Sequence, residues 1–489
     1  MEYYEAYMER KTVTYPAQKR ELFFGLVIMI CAMLLVNCVV FAGFHLGYAV
    51  AQGLCILVSA IYLWISGRKP GCYSGALLAI SLVITAGFAR SDDGFVKFVM
   101  VCFLFVAVNL GLGLQAGQNR RNPAGVTSLL DAPSVFFELG FGKLPEAYRG
   151  IHDAMRNGGT ASKKTGAVLL GVVLSVPVLV IVVLLLISAD AAFEGLVGKL
   201  PSLDLPQLVI TALLGGGAGC VLYTRGAALR HGESVCQQNA KKSTGFHPLT
   251  VNTVLVMICL VYVVYLFSQL AYFAGGLAGI LPKGYTMAEY ARRGFFEMGW
   301  LCGINLGLVA LTVGLVRKTE KTPLSTRLLC LFIGLVTLFF VVTASAKMAM
   351  YIGSYGLTRL RVLTEVIMVF LGIATVLVCI WLFVPKMPYM KAVLLLALVM
   401  GAAVLWADVD TVVARYNVQA YQSGQLDRVD VGYLTTLSAG AVPYIAQLAE
   451  AGDRQAQRFM AEYHSCDALD ALRCDWRSWN WADWLASQQ

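Results

Sequence analysis

The sequence predicts an all-α fold: a polytopic transmembrane helical bundle of about eleven spans, followed by a small C-terminal helical tail. Three observations predict it. Of the 489 residues, 58% are hydrophobic and only 14% are charged, whereas a soluble domain carries about a quarter charged residues. Mean hydropathy is +0.69. Apolar runs of roughly 20 residues, each able to cross a ~30 Å hydrocarbon core as a helix, recur along most of the chain.

The runs lie near 22–42, 47–66, 73–89, 95–116, 166–188, 206–224, 250–274, 298–316, 327–346, 362–384 and 392–407. The first is too long for a cleavable signal peptide, and no small-x-small cleavage pattern follows it. Residues 1–21, with Arg10, Lys11, Lys19 and Arg20, therefore read as a polar cytoplasmic tail before a first anchor. The first two runs are joined by the short turn "GFHLG". Pro177 inside the fifth run is expected to kink it. With 1–21 inside, most of the 38 Lys and Arg fall in inward-facing segments, and an odd number of spans leaves the C-terminus outside. This divides the chain into a tail (1–21), a four-span unit (22–116), a cytoplasmic connector (117–165), a seven-span core (166–407) and an extracytoplasmic helical tail (408–489).

The connector contains "GKLPEAYRGIHDAMRNGG", in which Leu144, Tyr148, Ile151 and Met155 recur at helical spacing. Pro145 suits the first helical turn, and Glu146 complements the dipole there. The segment reads either as an amphipathic helix on the inner membrane surface or as a helix packed under the bundle. After residue 407 charges return to ordinary density, and Val442, Ile445 and Leu448 mark one apolar helical face. Trp476, Trp479, Trp481 and Trp484 crowd the end, a pattern that suits the membrane–water interface. Cys466 and Cys474 could form a disulfide only across a turn, since on one continuous helix they would stand about 12 Å apart.

Composition also excludes. The net charge of +9 comes without a basic stripe interleaved with aromatics, so no nucleic-acid partner is expected. The 13 cysteines are scattered, mostly through apolar spans, and form no C-x-x-C pair. The five histidines are dispersed, so no metal and no cofactor is expected. No P-loop, H-E-x-x-H, G-x-S-x-G or dinucleotide fingerprint occurs, and no catalytic residue is assigned. G-x-x-x-G pairs at Gly43/Gly47, Gly215/Gly219 and Gly303/Gly307 are packing signals.

Three polar stretches stand at the outer ends of spans. In "YTMAEYARRGFFEMG", Glu289, Arg293 and Glu297 are four apart, in line on a helix, with Arg292 alongside. In "KMAMYIGSYGLTRLRVLTEV", Lys347 and Tyr351 share one face and Arg361 and Glu365 another, with Arg359 beside them and Gly353 and Gly356 interrupting between. In "WADVDTVVARYN", Asp408, Asp410 and Arg415 leave the last span. Cations on the outer side run against the usual bias, and charges kept at membrane depth pair or line a cavity. The expectation is a single charged cluster in which these residues neutralise one another, Arg361 with Glu365 among them.

Some of these residues carry a resemblance. "KMAMYIGSYGLTRLRV", "YTMAEYARRGFFEM", the "SADAAF" after the fifth span and the late "ARYNV" resemble an uncharacterised bacterial membrane family, the domain of unknown function numbered four-one-seven-three, with a sister family numbered four-one-five-three. The likeness covers roughly residues 166–420. It implies a multi-pass protein of the bacterial cytoplasmic membrane and suggests that the motif residues belong to one outer-side site. No activity comes with it.

Function divides between two readings. In one the cluster binds an anionic lipid or small anion, with arginines as forked donors, for transport or handling of a lipid-like substrate. In the other the protein is a non-catalytic sensor or scaffold in the bilayer whose C-terminal tail meets a protein partner. An envelope-precursor enzyme with Glu297 or Glu365 as general base is the weaker alternative, since it lacks every motif named above.

Overall fold

Every regular element among the described residues is helical. Hydrocarbon demands this, because a spanning segment has to satisfy its own backbone hydrogen bonds. The computed structural model describes residues 19–119, 121, 126–147, 149–150, 182, 205–232, 247–277, 295–315, 323–465 and 475–488. The chain forms two compact units, Met1–Gln237 with Cys466–Gln488, and Gln238–Ser465 with Gln489.

The first unit is built on α1 (Lys19–Phe41), α2 (Leu46–Ile65), α3 (Cys72–Gly87), α4 (Gly94–Ala116) and α5 (Pro206–His231). Asp93 starts α4 by accepting the N–H groups of Phe95 and Val96 at 2.9 and 3.0 Å, the cap that unsatisfied first-turn donors require. Gly117 ends it at φ +70°, a left-handed turn open to glycine. Helix α1 packs against α2 and α5, and α3 against α4. Phe24 stacks on Tyr62 with ring centroids 3.9 Å apart, and Ile28, Leu63, Leu112 and Leu229 close the core around them. Two described stretches of this unit are π-helical, Ser134–Phe141 and, inside α5, Thr211–Gly215.

The second unit is built on α6 (Pro248–Leu277), α7 (Phe295–Leu315), α8 (Leu324–Tyr355), α9 (Arg359–Phe383) and α10 (Tyr389–Ala407). Helix α8 is the hub, packed against α6, α7 and α9. Polar pairs tie these apolar helices together. Tyr262 donates to Asn305 at 2.5 Å, and Asn305 donates to Thr337 at 3.0 Å, the interhelical bonding that substitutes for a hydrophobic force in lipid. At 32 residues, α8 is about 48 Å long, longer than the hydrocarbon core. Four small helices follow α10: α11 (Val409–Gln422), α12 (Val431–Leu434), α13 (Val442–Glu450) and α14 (Arg454–Ser465). On α13, Val442, Ile445 and Leu448 are all buried, as their spacing predicts.

The last short helix, α15 (Trp481–Ala486), belongs to the first unit. The Leu46 and Gly47 N–H groups donate to the carbonyls of Trp479 and Arg477 at 3.1 and 3.0 Å, and the Trp481 N–H donates to Ala89 at 2.9 Å. Asn480 adds a bond to the Ser91 carbonyl at 2.8 Å.

Among the described residues, eight helices are long and apolar enough to cross a membrane, and α3 and the apolar stretch Glu297–Thr312 of α7 are shorter. They overlap the expected runs without confirming the count of eleven, and two boundaries move: α5 continues to His231, taking Arg225 into the helix, and α8 continues to Tyr355, through Gly353, so that of the two glycines expected to interrupt it only Gly356 does. The expected run at 166–188, apart from residue 182, lies outside the described residues, as do Cys466, Cys474 and the connector beyond residue 150.

Of the three G-x-x-x-G pairs, one makes an interhelical seam. A Cβ on Gly215 would lie 2.7 Å from Met33 Cα, and one on Gly219 would lie 2.4 Å from Met29 Sδ. By contrast, Cβ atoms on Gly303 and Gly307 would meet no described residue within 4 Å. Gly43 serves a turn at φ +79°. Gly219→Leu should therefore destabilise the first unit by about 1–3 kcal/mol through overpacking, while Gly303→Leu should be near neutral. Thermal unfolding of the purified variants in detergent checks the difference.

Candidate functional site

The expected cluster centres on the turn between α8 and α9. Helix α8 ends because Gly356 takes φ +74°, and a Cβ there would stand 2.6 Å from Asn417 Oδ1. The Asn417 amide clasps the next residue from both sides. It accepts from the Leu357 N–H at 2.7 Å and donates to the Leu357 carbonyl at 2.8 Å. Thr358 caps α9 by accepting from the Arg361 N–H at 3.4 Å. The Tyr433 hydroxyl takes the orphan N–H of Arg359 at 2.8 Å.

From this turn Arg359 forks onto Asp410. Its Nε and Nη2 donate to Oδ1 and Oδ2 at 2.8 and 2.5 Å. The Ser438 N–H adds a third bond to Asp410 Oδ2 at 2.8 Å. The Asp410 side chain is 0% exposed, while that of Arg359 is 34% exposed. Burial alone would raise the Asp410 carboxyl, but the Arg359 fork and charge and the Ser438 N–H outweigh it and hold the group below the usual carboxylate range.

Two residues earlier Asp408 joins α10 to α11 at φ +53°, the one positive-φ non-glycine among the described residues. Its Oδ2 accepts the Thr411 hydroxyl at 2.5 Å. Gly440 lies against both, where a Cβ would meet Asp408 Oδ2 and Thr411 Oγ1 at 2.4 Å.

The other expected members are placed as follows. Arg361 does not pair with Glu365. It donates to the Gly356 and Tyr355 carbonyls, and its guanidinium lies 4.0 Å from the Tyr351 ring centroid. The physical reason is the end of α8, whose last carbonyls lack intrahelical partners and draw in a nearby cation. Glu365 keeps Oε2 buried with no hydrogen-bond partner. Lys347 is half-buried on α8, Arg415 is exposed on α11, and Glu297 is exposed in the first turn of α7. Glu289, Arg292 and Arg293 lie outside the described residues.

Sequence reasoning missed Asn417, Tyr433, Ser438 and Gly440. Asn417 was within reach, since it follows Asp410 by seven residues and so shares its helical face. Tyr433 and Ser438 come from short segments whose approach no local pattern announces.

A second polar group sits in the first unit, where the tail docks. Lys97 Nζ lies 3.3 Å from His45 Nδ1 and 3.4 Å from Asp92 Oδ1. His45, Asp92 and Asp483 bring three ligand-type atoms within 4.8 Å of one another, but the Lys97 ammonium already supplies the positive charge and would oppose a divalent cation. Beside it Arg477 pairs with Asp475 at 2.7 Å, which lowers the Asp475 carboxyl, and donates to Asn37.

These features define a multi-pass helical membrane protein with an ion-paired joint at the end of its apolar helices. The chain belongs to the family described as Domain of unknown function (DUF4153), whose model matches residues 74–448. The match begins in α3 and ends in α13, well beyond the 166–420 stretch in which the motifs are legible. The family shown is the one expected as the sister; the likeness to the family numbered four-one-seven-three rests on the quoted motifs alone. No curated protein and no solved structure matches the chain.

One pH dependence follows from the docked tail. Burial first, and then the Lys97 charge, push His45 from its ordinary 6.5 down to about 4, with Asp92 opposing. The folded state thus binds fewer protons than the unfolded one between those values, and the attachment of 475–488 should weaken as pH falls through that window. Hydrogen exchange of this segment, corrected for intrinsic rates, should rise from pH 7 to about pH 4.5 in the wild type and stay level in His45→Gln.

Proposed function

We propose that this protein is a non-catalytic scaffold or sensor of the bacterial cytoplasmic membrane, N-terminus inside, and that its charged cluster is a clamp rather than an anion site. The clamp holds the small helical domain 409–465 on the membrane helices of its own unit, and the free face of that domain meets a protein partner. The observation that carries this reading is the saturation of Asp410. Both carboxylate oxygens are bonded, one of them twice, and the side chain is fully buried. The Nε–Nη2 edge of the guanidinium, the edge that would fork onto an incoming anion, is already taken by the carboxylate. On α14 the exposed residues Arg454, Gln457, Arg458 and Glu462 offer a polar surface to such a partner. Handling of an anionic, lipid-like substrate is favoured instead by a pocket of the first unit, around Arg225.

Removing one member of a buried pair costs about 3–5 kcal/mol, and partial exposure of Arg359 puts the expected loss for Arg359→Ala near the lower end. In the full-length protein this variant should make 409–465 susceptible to limited proteolysis while the membrane helices stay intact. Added inorganic phosphate should leave the wild type's melting temperature unchanged. A phosphate-dependent stabilisation that disappears in Arg359→Ala would return the cluster to an anion-binding role.

A further inference from the structure

Two buried arginine environments in the first unit differ in one respect. Arg230 has an acid: Glu21, 1% exposed, lies 2.7 Å from its Nη1 and also accepts from His231 at 2.8 Å. Arg225, five residues earlier, has none among the described residues. It is 4% exposed, and its one hydrogen-bond partner among the described residues is Asn109, which accepts from Nη1 at 2.9 Å. Its Nε is buried without a partner. Asn109 donates its own amide to the Phe105 carbonyl at 2.8 Å, so its oxygen is held toward Arg225. An unpaired cation in a low-dielectric interior is costly, and an intramembrane charge with no internal counter-ion marks a functional position.

Arg225 lines a cavity of about 730 Å³, within the range of small-molecule sites. Asn109, bonded to Arg225, shares its end of the cavity, Gln52 adds a second amide to the wall, and the rest is almost entirely apolar, including Leu104, Phe105, Phe136 and Leu213. Leu213 stands twelve residues before Arg225 on α5, about 18 Å along the axis, so the cavity is elongated with its cation toward one end. Arg225 lies six residues, or about 9 Å, from the C-terminal end of α5, a depth suited to a head group near the membrane surface. Leu213 and Leu214 at the rim are 58% and 57% exposed, so the cavity opens sideways toward lipid. Both π-helical runs contribute to its wall, through Phe136 and Phe141 and through Leu213 and Leu214. Such departures from α geometry are frequent at functional sites.

We infer that this cavity binds an anionic amphiphile, an oxyanion head on Arg225 with an acyl chain along the apolar wall. The carboxylate of a fatty acid and the phosphate of a phospholipid share this chemistry. The site is independent of the Arg359–Asp410 clamp, and its test leaves that clamp untouched.

Full-length protein, delipidated in detergent, is titrated by native mass spectrometry and thermal shift with oleate, dioleoyl phosphatidic acid, dioleoyl phosphatidylcholine and inorganic phosphate. Oleate or phosphatidic acid should bind at one per chain, and the better of the two identifies the source of the head group. Arg225→Gln, which keeps a bond to Asn109, should weaken that binding about ten-fold or more, the loss of a charge-assisted contact. Gly217→Leu provides a second variant that retains Arg225. Gly217 lines the cavity and a Cβ on it would meet no described residue within 4 Å, so the larger side chain should fill the space, keep the fold and block binding. The inference is overturned if neither anionic amphiphile binds the wild type, if both variants bind as the wild type does, if phosphatidylcholine binds as tightly as phosphatidic acid, or if inorganic phosphate alone saturates the site.

Discussion

A carboxylate removed from water must be given a cation or give up its charge, and in the second unit that constraint falls on Asp410. The fork from Arg359 and the Ser438 N–H satisfy it. The surrounding geometry serves to bring those donors to one place. Gly356 turns the chain so that α9 begins at Arg359, Asn417 locks Leu357 between, and Asp408 adopts a left-handed conformation so that α11 can leave α10 with Asp410 pointing inward. Gly440 leaves the space in which Asp408 and Thr411 bond. Segments from four places in the chain are thereby joined at a single ion pair.

The first unit applies the same electrostatic rule with two outcomes. Glu21 is answered by Arg230 and His231 within the protein. Among the described residues Arg225 has only a neutral amide, and it lines a cavity whose wall is otherwise mostly apolar. The contrast separates a charge used to hold helices together from a charge left open to something that enters from lipid.

The terminal tryptophans show how little composition says about what holds a segment in place. Their crowding suggests an interfacial belt, and Trp476, Trp481 and Trp484 do keep exposed faces. What holds the segment is backbone pairing of Arg477, Trp479 and Trp481 with the turns before α2 and after α3, together with Asn480 on Ser91. Arg90 lies 5.4 Å from the Trp481 ring centroid, adding a cation–π contact to the same seam. None of these carbonyl and amide partners has a signature in side-chain composition.

The sequence by itself determined the helical class, the position of most apolar helices, the buried face of α13 and the residues of the clamp's central pair. These are local properties: hydropathy over twenty residues and a period of 3.6 are set by the chain's immediate chemistry, and a buried charge is conspicuous in an apolar context. Only the tertiary structure decided which charges meet. Arg361 turned to the carbonyls ending α8 instead of to Glu365, because unsatisfied backbone acceptors lay closer than the carboxylate one turn on. One glycine pair, Gly215/Gly219, became a seam and another, Gly303/Gly307, did not, because close approach belongs to the facing helix and not to the motif. Arg225 acquired its cavity from α2, α4, the Ser134–Phe141 turn and α5 together, a juxtaposition of segments far apart in sequence that no window of residues encodes.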